Sequence, residues 1–166
     1  MDPQCVPLHT IAELNSRLFT HCFDGMNDML TAGRISDGTS SFLFIASHLI
    51  DARAYLVTLA GGAVSHPLVE QLRSVQSIEA LAVPPGIADL HSAWQNLSPA
   101  LLRQLPMLSQ SDLRRRSPDP MPIADQSLLG AIAFMLQHES YHLGQLAMLK
   151  KHLTGKPMKY SPQGRE

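Results

Sequence analysis

Residues 125–155 read DQSLLGAIAFMLQHESYHLGQLAMLKKHLTG, and this stretch decides the fold. Asp125 or Ser127 supplies a helix N-cap, and Gly155 followed by Pro157 supplies a stop. Lys150, Lys151 and His152 fall in the last turn, where cations complement the helix dipole. The spacing predicts one long helix ending near Leu153. Ala131, Phe134, Met135 and Leu149 share a face with His138, His142 and Gln145, which makes that face the apolar, core-directed stripe. Two histidines four residues apart stack on one side of a helix. They therefore point inward, where an unpartnered polar group costs about 1–3 kcal/mol.

Upstream, glycines and prolines divide the chain into three further helical segments, with no alternating strand pattern of useful length. The first is expected from Leu8 to Ala32, on Ile11, Leu14, Leu18, Phe19, Cys22, Met26, Met29 and Leu30. Gly33 and the Ser36–Asp37–Gly38 turn close it. A link this short makes the first two segments antiparallel neighbours. The second is expected from about Ser40 to Ala60, with Thr39 or Ser40 as N-cap and Gly61–Gly62 as stop. Residues 63–85 follow with Pro67, Pro84 and Pro85 and one short helical turn near residues 68–73. The third segment covers about Gly86 to Leu105, kinked or split at Pro99. A proline-rich stretch, 106–125, leads back to the long helix. The expected class is all-α: one domain over residues 1–166, built as a four-helix bundle with a long crossover connection between helices 2 and 3.

Composition agrees. The chain has 166 residues, enough for one sizeable core, and aromatics are only 5%, so Leu, Ala, Ile, Val and Met must fill it. A formal net charge of −1 argues against nucleic acid and against an anionic membrane as partner. Cys5 and Cys22 form no CxxC pair and no disulfide framework. The start carries no basic, apolar leader pattern, and the apolar run from Ser41 to Ile50 is interrupted by His48 and too short to span a bilayer. The expected setting is cytoplasmic.

The inward pair needs a partner, and His48 in the second segment is the best placed. It shares its face with Ser41, Phe44, Ile45, Ala52, Tyr55 and Leu59, and it sits near mid-helix as His138 and His142 do. Three imidazoles from two helices make a metal site with a fourth position open, the mark of a catalytic rather than a structural ion. Gln145 is placed to hold a ligand imidazole or a metal-bound water; Asp51 to orient His48 or reach the pocket; Tyr55 to line the pocket. Residues 138–142 also satisfy H-E-x-x-H, but no third zincin ligand follows. The only later glutamate is Glu166, at the end of the sequence, so a metallopeptidase is disfavoured. Glu139 reads as a carboxylate at the edge of the site or on the surface. Cys22 reads as a small buried hydrophobe. His9, His21, His66, His91 and His152 read as surface residues.

His48 with Asp51 three residues on, followed by His138-Glu139-Ser140-Tyr141-His142-Leu143-Gly144-Gln145, resembles the DinB superfamily over nearly the whole chain. The resemblance implies an open left-handed bundle with a crossover connection, frequent homodimers, and a divalent metal, often nickel or zinc, on the residues matching His48, His138 and His142. Many members carry a basic residue where Leu143 stands, a departure off the ligand face. The implied activity is metal-dependent chemistry on a small molecule, either hydrolase-like or a thiol-dependent transfer or isomerisation with a low-molecular-weight thiol. The alternative is a non-catalytic metal-binding stress-response protein. A homodimer is also expected from the residues. The second segment carries a further apolar face of Leu43, Ala46, Ile50, Ala54 and Val57, and the long helix one of Ala133, Leu136, Ser140, Gly144 and Ala147. Each needs a cover, from the long connections or from a second copy.

Overall fold

The computed structural model describes residues 1–75 and 78–161. Among the described residues seven α-helices follow one another: α1 Cys5–Cys22, α2 Asp28–Thr31, α3 Phe42–Leu59, α4 Pro67–Arg73, α5 Ile87–Gln104, α6 Gln110–Arg114 and α7 Leu128–Thr154. Among the described residues there is no strand; one isolated bridge joins Arg116 to Ser127 just before α7. The protein is all-helical, as its sequence suggests.

Local chemistry sets the helix ends. The Ser41 and Ser127 side chains accept from Phe44 N–H and Gly130 N–H, capping α3 and α7 at their first turns. Gly155, in the left-handed region at φ 71°, ends α7. The first helix is shorter than its apolar pattern predicts. It stops at Cys22, Gly25 turns the chain at φ 78°, and the Asn27 side chain starts the separate α2. Apolar spacing continued past the break, but a positive φ ended the helix there.

Four long helices make the core. α3 packs against α5 and α7, and α1 packs against the same two. The sequence led us to expect the first two long helices as neighbours; instead α1 and α3 meet at most marginally. Their link is not a tight turn. It runs through α2, where Asp28 Oδ1 accepts from Ile87 N–H at 2.8 Å, which pins the link to the start of α5.

α3 is apolar nearly all round, and among the described helices it alone is long and apolar enough to cross a bilayer. Most of it is packed inside the protein. Ala46, Ile50, Ala54 and Val57, expected as an outward face awaiting a partner, are all 0% exposed. The chain's own helices cover these four, and of the expected α3 face only Leu43 stays partly exposed. On α7, Ala133, Ser140 and Gly144 do remain exposed, beside a groove of about 620 Å³ whose other wall is Leu8, Ile11 and Leu14 of α1.

The chain after α7 folds back over the ends of α1 and α7. Lys150 Nζ donates to the Lys156 and Pro157 carbonyls at 3.2 Å each, and His21 Nδ1–H donates to the Lys159 carbonyl at 2.8 Å. Cys22 Sγ lies 3.3 Å from Met158 Sδ. Cys22 is buried as expected, and burial pushes its thiol up to about 12. His21 departs from expectation: it is buried beneath this segment rather than on the surface.

Candidate metal centre

His48 projects from α3, and His138 and His142 project one turn apart from α7, the helix packed against it. Their ligating nitrogens all lie within 4.8 Å of one another. His48 Nε2 and His138 Nε2 are 2.8 Å apart, and the three rings stand edge to face with centroids 4.4–5.0 Å apart. Nitrogens about 2.1 Å from a tetrahedral zinc ion stand about 3.4 Å from each other, so a small adjustment lets all three bind one ion. Among the described residues the group has three members, all nitrogen donors. That donor set suits zinc, nickel and copper over the hard cations.

The protonation pattern favours ligation. Gln145 Oε1 accepts from His142 Nδ1–H at 2.7 Å, while Gln145 Nε2 donates to Tyr141 Oη at 3.2 Å. The amide orientation fixes the proton on Nδ1 and leaves the His142 Nε2 lone pair free. Burial lowers the pKa of His48 and of His138, with the neighbouring imidazoles adding to it. Both rings are thus biased to the neutral form that binds metal. Phe44 and Phe134, one turn before His48 and His138, lie against their rings at 6.5 and 6.2 Å between centroids.

Of the other two residues expected around the site, Asp51 lines the same pocket as His48, and Tyr55 is tied to a loop. Asp51 makes an ion pair with Arg73 of α4 at 3.5 Å, and its charge acts on His48 only as a minor upward influence on the pKa. Tyr55 Oη donates to Asp119 Oδ2 at 2.6 Å, tying α3 to the loop before α7. Burial and that carboxylate hold the phenol above its ordinary pKa.

Behind the histidines lies a charge network that periodicity did not reveal. Glu139, next to His138, is neither on the surface nor at the metal site. It is 0% exposed and turned away, with Arg53 Nε and Nη2 donating to its two oxygens at 2.7 and 2.8 Å. Asn15 of α1 donates to the same carboxylate at 3.3 Å. Arg53 is also fully buried; its Nη1 donates to Ser16 Oγ, and its guanidinium lies 4.3 Å over the Trp94 ring. Burial raises the Glu139 pKa, with Arg53 and Asn15 opposing it. One network therefore joins α1, α3, α5 and α7 a single helical position from a ligand histidine. Glu166 lies outside the described residues.

A family model described as the DinB superfamily matches residues 12–146, a span that contains all three histidines and Gln145. No curated protein matches the sequence.

Proposed function

Because the chain belongs to the DinB superfamily, we propose that it is a metal-dependent enzyme for a small-molecule substrate, with one divalent ion, zinc or nickel, on His48, His138 and His142. The observation that carries this is the meeting of three half-buried imidazoles, two of them held neutral by burial and the third aimed by Gln145. Three protein ligands leave a coordination position for water or substrate. A bound ion supplies Lewis-acid activation of a water or a thiolate there. The chain's own part is to hold the three nitrogens, fix the His142 proton on Nδ1 and keep the site half-enclosed. Among the described residues, the two carboxylates nearest the histidines in sequence are engaged elsewhere: Asp51 is paired with Arg73 and Glu139 with Arg53. That favours a nucleophile activated by the ion, in a hydrolase-like reaction or a transfer that uses a low-molecular-weight thiol. The same reading takes the protein as a cytoplasmic homodimer and the four long helices as a bundle whose segment from α4 to α5 crosses over; the low net charge supports the absence of a nucleic-acid or membrane partner.

Elemental analysis of purified protein tests the site. About one divalent ion per chain is expected, and its loss in both His48→Ala and His142→Ala. Full retention in both variants overturns the assignment. An activity panel of esters, amides and thiol adducts, run with and without chelator, then separates an enzyme from a non-catalytic metal-binding protein.

A further inference from the structure

The side of α7 that faces away from the core carries no charge along its middle turns. Between Leu128 and Lys150 the exposed residues are Ala133, Gln137, Ser140, Tyr141, Gly144 and Met148, and the one acid in that span, Glu139, is buried. A helix side that meets water is ordinarily charged and polar. Tyr141 and Met148 are large side chains, yet they stand 58% and 63% exposed on this stripe. Beside them lies the groove of about 620 Å³, mostly apolar in its lining, with Leu8, Ile11 and Leu14 of α1 as its far wall. Large exposed side chains on an uncharged face beside an apolar groove mark a contact surface.

The order of residues along the stripe says what covers it. Two copies of α7 laid antiparallel about a two-fold axis between Ser140 and Tyr141 set each larger residue against a small one. Met148 then lies opposite Ala133 of the second copy, Gln137 opposite Gly144, and Tyr141 opposite Ser140. Large facing small is how two helices interdigitate at close range. The same axis suits α1. Asn15 Nδ2 donates to the Leu136 carbonyl at 3.2 Å, and Ser140 Oγ–H donates to Asn15 Oδ1 at 3.1 Å, so the middle of α1 is level with the axis. Glu13 and Arg17, both exposed, stand two residues either side of Asn15. The axis therefore brings Glu13 of each copy to Arg17 of the other. Such a rim pair adds little affinity but helps to fix register.

We infer that the α1–α7 face is the contact between two copies of this chain, with α7 antiparallel to α7 about that axis. The inference rests on the homodimer reading above and needs no metal. A stable dimer buries about 800 Å² on each partner, more than one helix stripe supplies, so the α1 wall of the groove belongs to the contact.

Gly144→Glu tests the face. A Cβ at Gly144 meets no other part of its own chain within 4 Å, so a single copy accepts the side chain, while a charge is placed where the second copy packs. Light scattering at micromolar concentration should give twice the chain mass for the parent and the single-chain mass for Gly144→Glu, with helix content by circular dichroism unchanged. Cysteine pairs test the register. In chains whose Cys5 and Cys22 are replaced by alanine, Ala133→Cys mixed with Met148→Cys should cross-link under mild oxidation. Neither should cross-link alone, because the two copies of either position stand about 22 Å apart along the helices, well beyond the ~7 Å that a disulfide spans. A parent that is monomeric overturns the proposal together with the homodimer reading. A dimer that keeps its mass in folded Gly144→Glu, or whose cysteine mixture does not cross-link, keeps the homodimer reading and overturns this interface.

Discussion

Glu139 and Arg53 meet in the core, and each depends on the other for its burial. Removing one charge of a buried pair leaves the other uncompensated, which costs about 3–5 kcal/mol, whereas replacing both with apolar groups of similar volume is often neutral or stabilising. Glu139→Gln should therefore lower stability by about that amount in denaturant unfolding, with zinc stoichiometry retained. Arg53→Met combined with Glu139→Leu should recover most of the loss. A Glu139→Gln protein as stable as the parent removes the network from the account of the fold. The histidine site was largely legible in the sequence because ligand spacing and core spacing coincide at i, i+4. The pair behind it was not, because a periodicity reading assigns charged residues to solvent. The signal was present all the same. Arg53 falls between buried Leu49 and Val57, Glu139 between buried Leu136 and Leu143, and Asn15 between buried Ala12 and Leu18. Three polar residues at core positions of three helices can be buried there only if they find one another.

Among the elements, α5 departs from local preference. Pro99 was expected to kink or split it; it does not split it, since the helix runs from Ile87 to Gln104 with the proline inside. Proline at an interior position lacks the N–H that would reach Gln95 and is about 3 kcal/mol less favourable than alanine. Packing of Trp94, Leu97 and Leu101 into the core carries the helix through. Pro99→Ala should accordingly raise the melting temperature, by up to about 3 kcal/mol of stability in a thermal scan. A lower melting temperature would show that the proline fits a bend the core needs. The other element-level surprise, the placement of α1 and α3 apart, has a tertiary cause. Apolar spacing reports which face of a helix is buried but not against which neighbour, and it took the Asp28–Ile87 contact to direct the link over α5.

At the level of the whole molecule, metal and proton compete for the same nitrogens. An ion that binds only the folded chain adds about 2.7 kcal/mol of stability at a hundredfold excess over its Kd, or roughly 5–10 °C for a chain of this length. This gain should disappear in His48→Ala. Its pH dependence has a definite sign. Burial lowers the folded pKa of His48 and His138 below the ordinary value, so as pH falls through about 6.5 the unfolded chain takes up protons that the folded one resists. Stability without metal should fall from pH 7 towards pH 5 and change little from these two groups above pH 7.5. The shift on adding zinc should shrink over the same acidic interval, because protons displace the ion. A zinc shift that is flat from pH 8 to pH 5 rules out ligation through these imidazoles. A second whole-molecule expectation needs a different probe from the one the apolar pattern suggests. Ile50→Glu cannot report on self-association, because Ile50 is in the core; light scattering of the unmutated chain can, and a monomer at micromolar concentration ends the homodimer proposal.

The segment that folds back over Cys22 has a kinetic consequence. A thiol raised to about 12 and lying against Met158 is inert to alkylating reagents while residues 156–160 stay in place. Three of the tethers on that segment are hydrogen bonds to backbone carbonyls from Lys150 and His21, contacts that can detach without disturbing the helices. Once Cys5 is replaced by alanine, the labelling rate of Cys22 becomes a clock for that detachment. Its free energy lies below that of global unfolding when the two are separate events, and equals it when the tail and the core open as one.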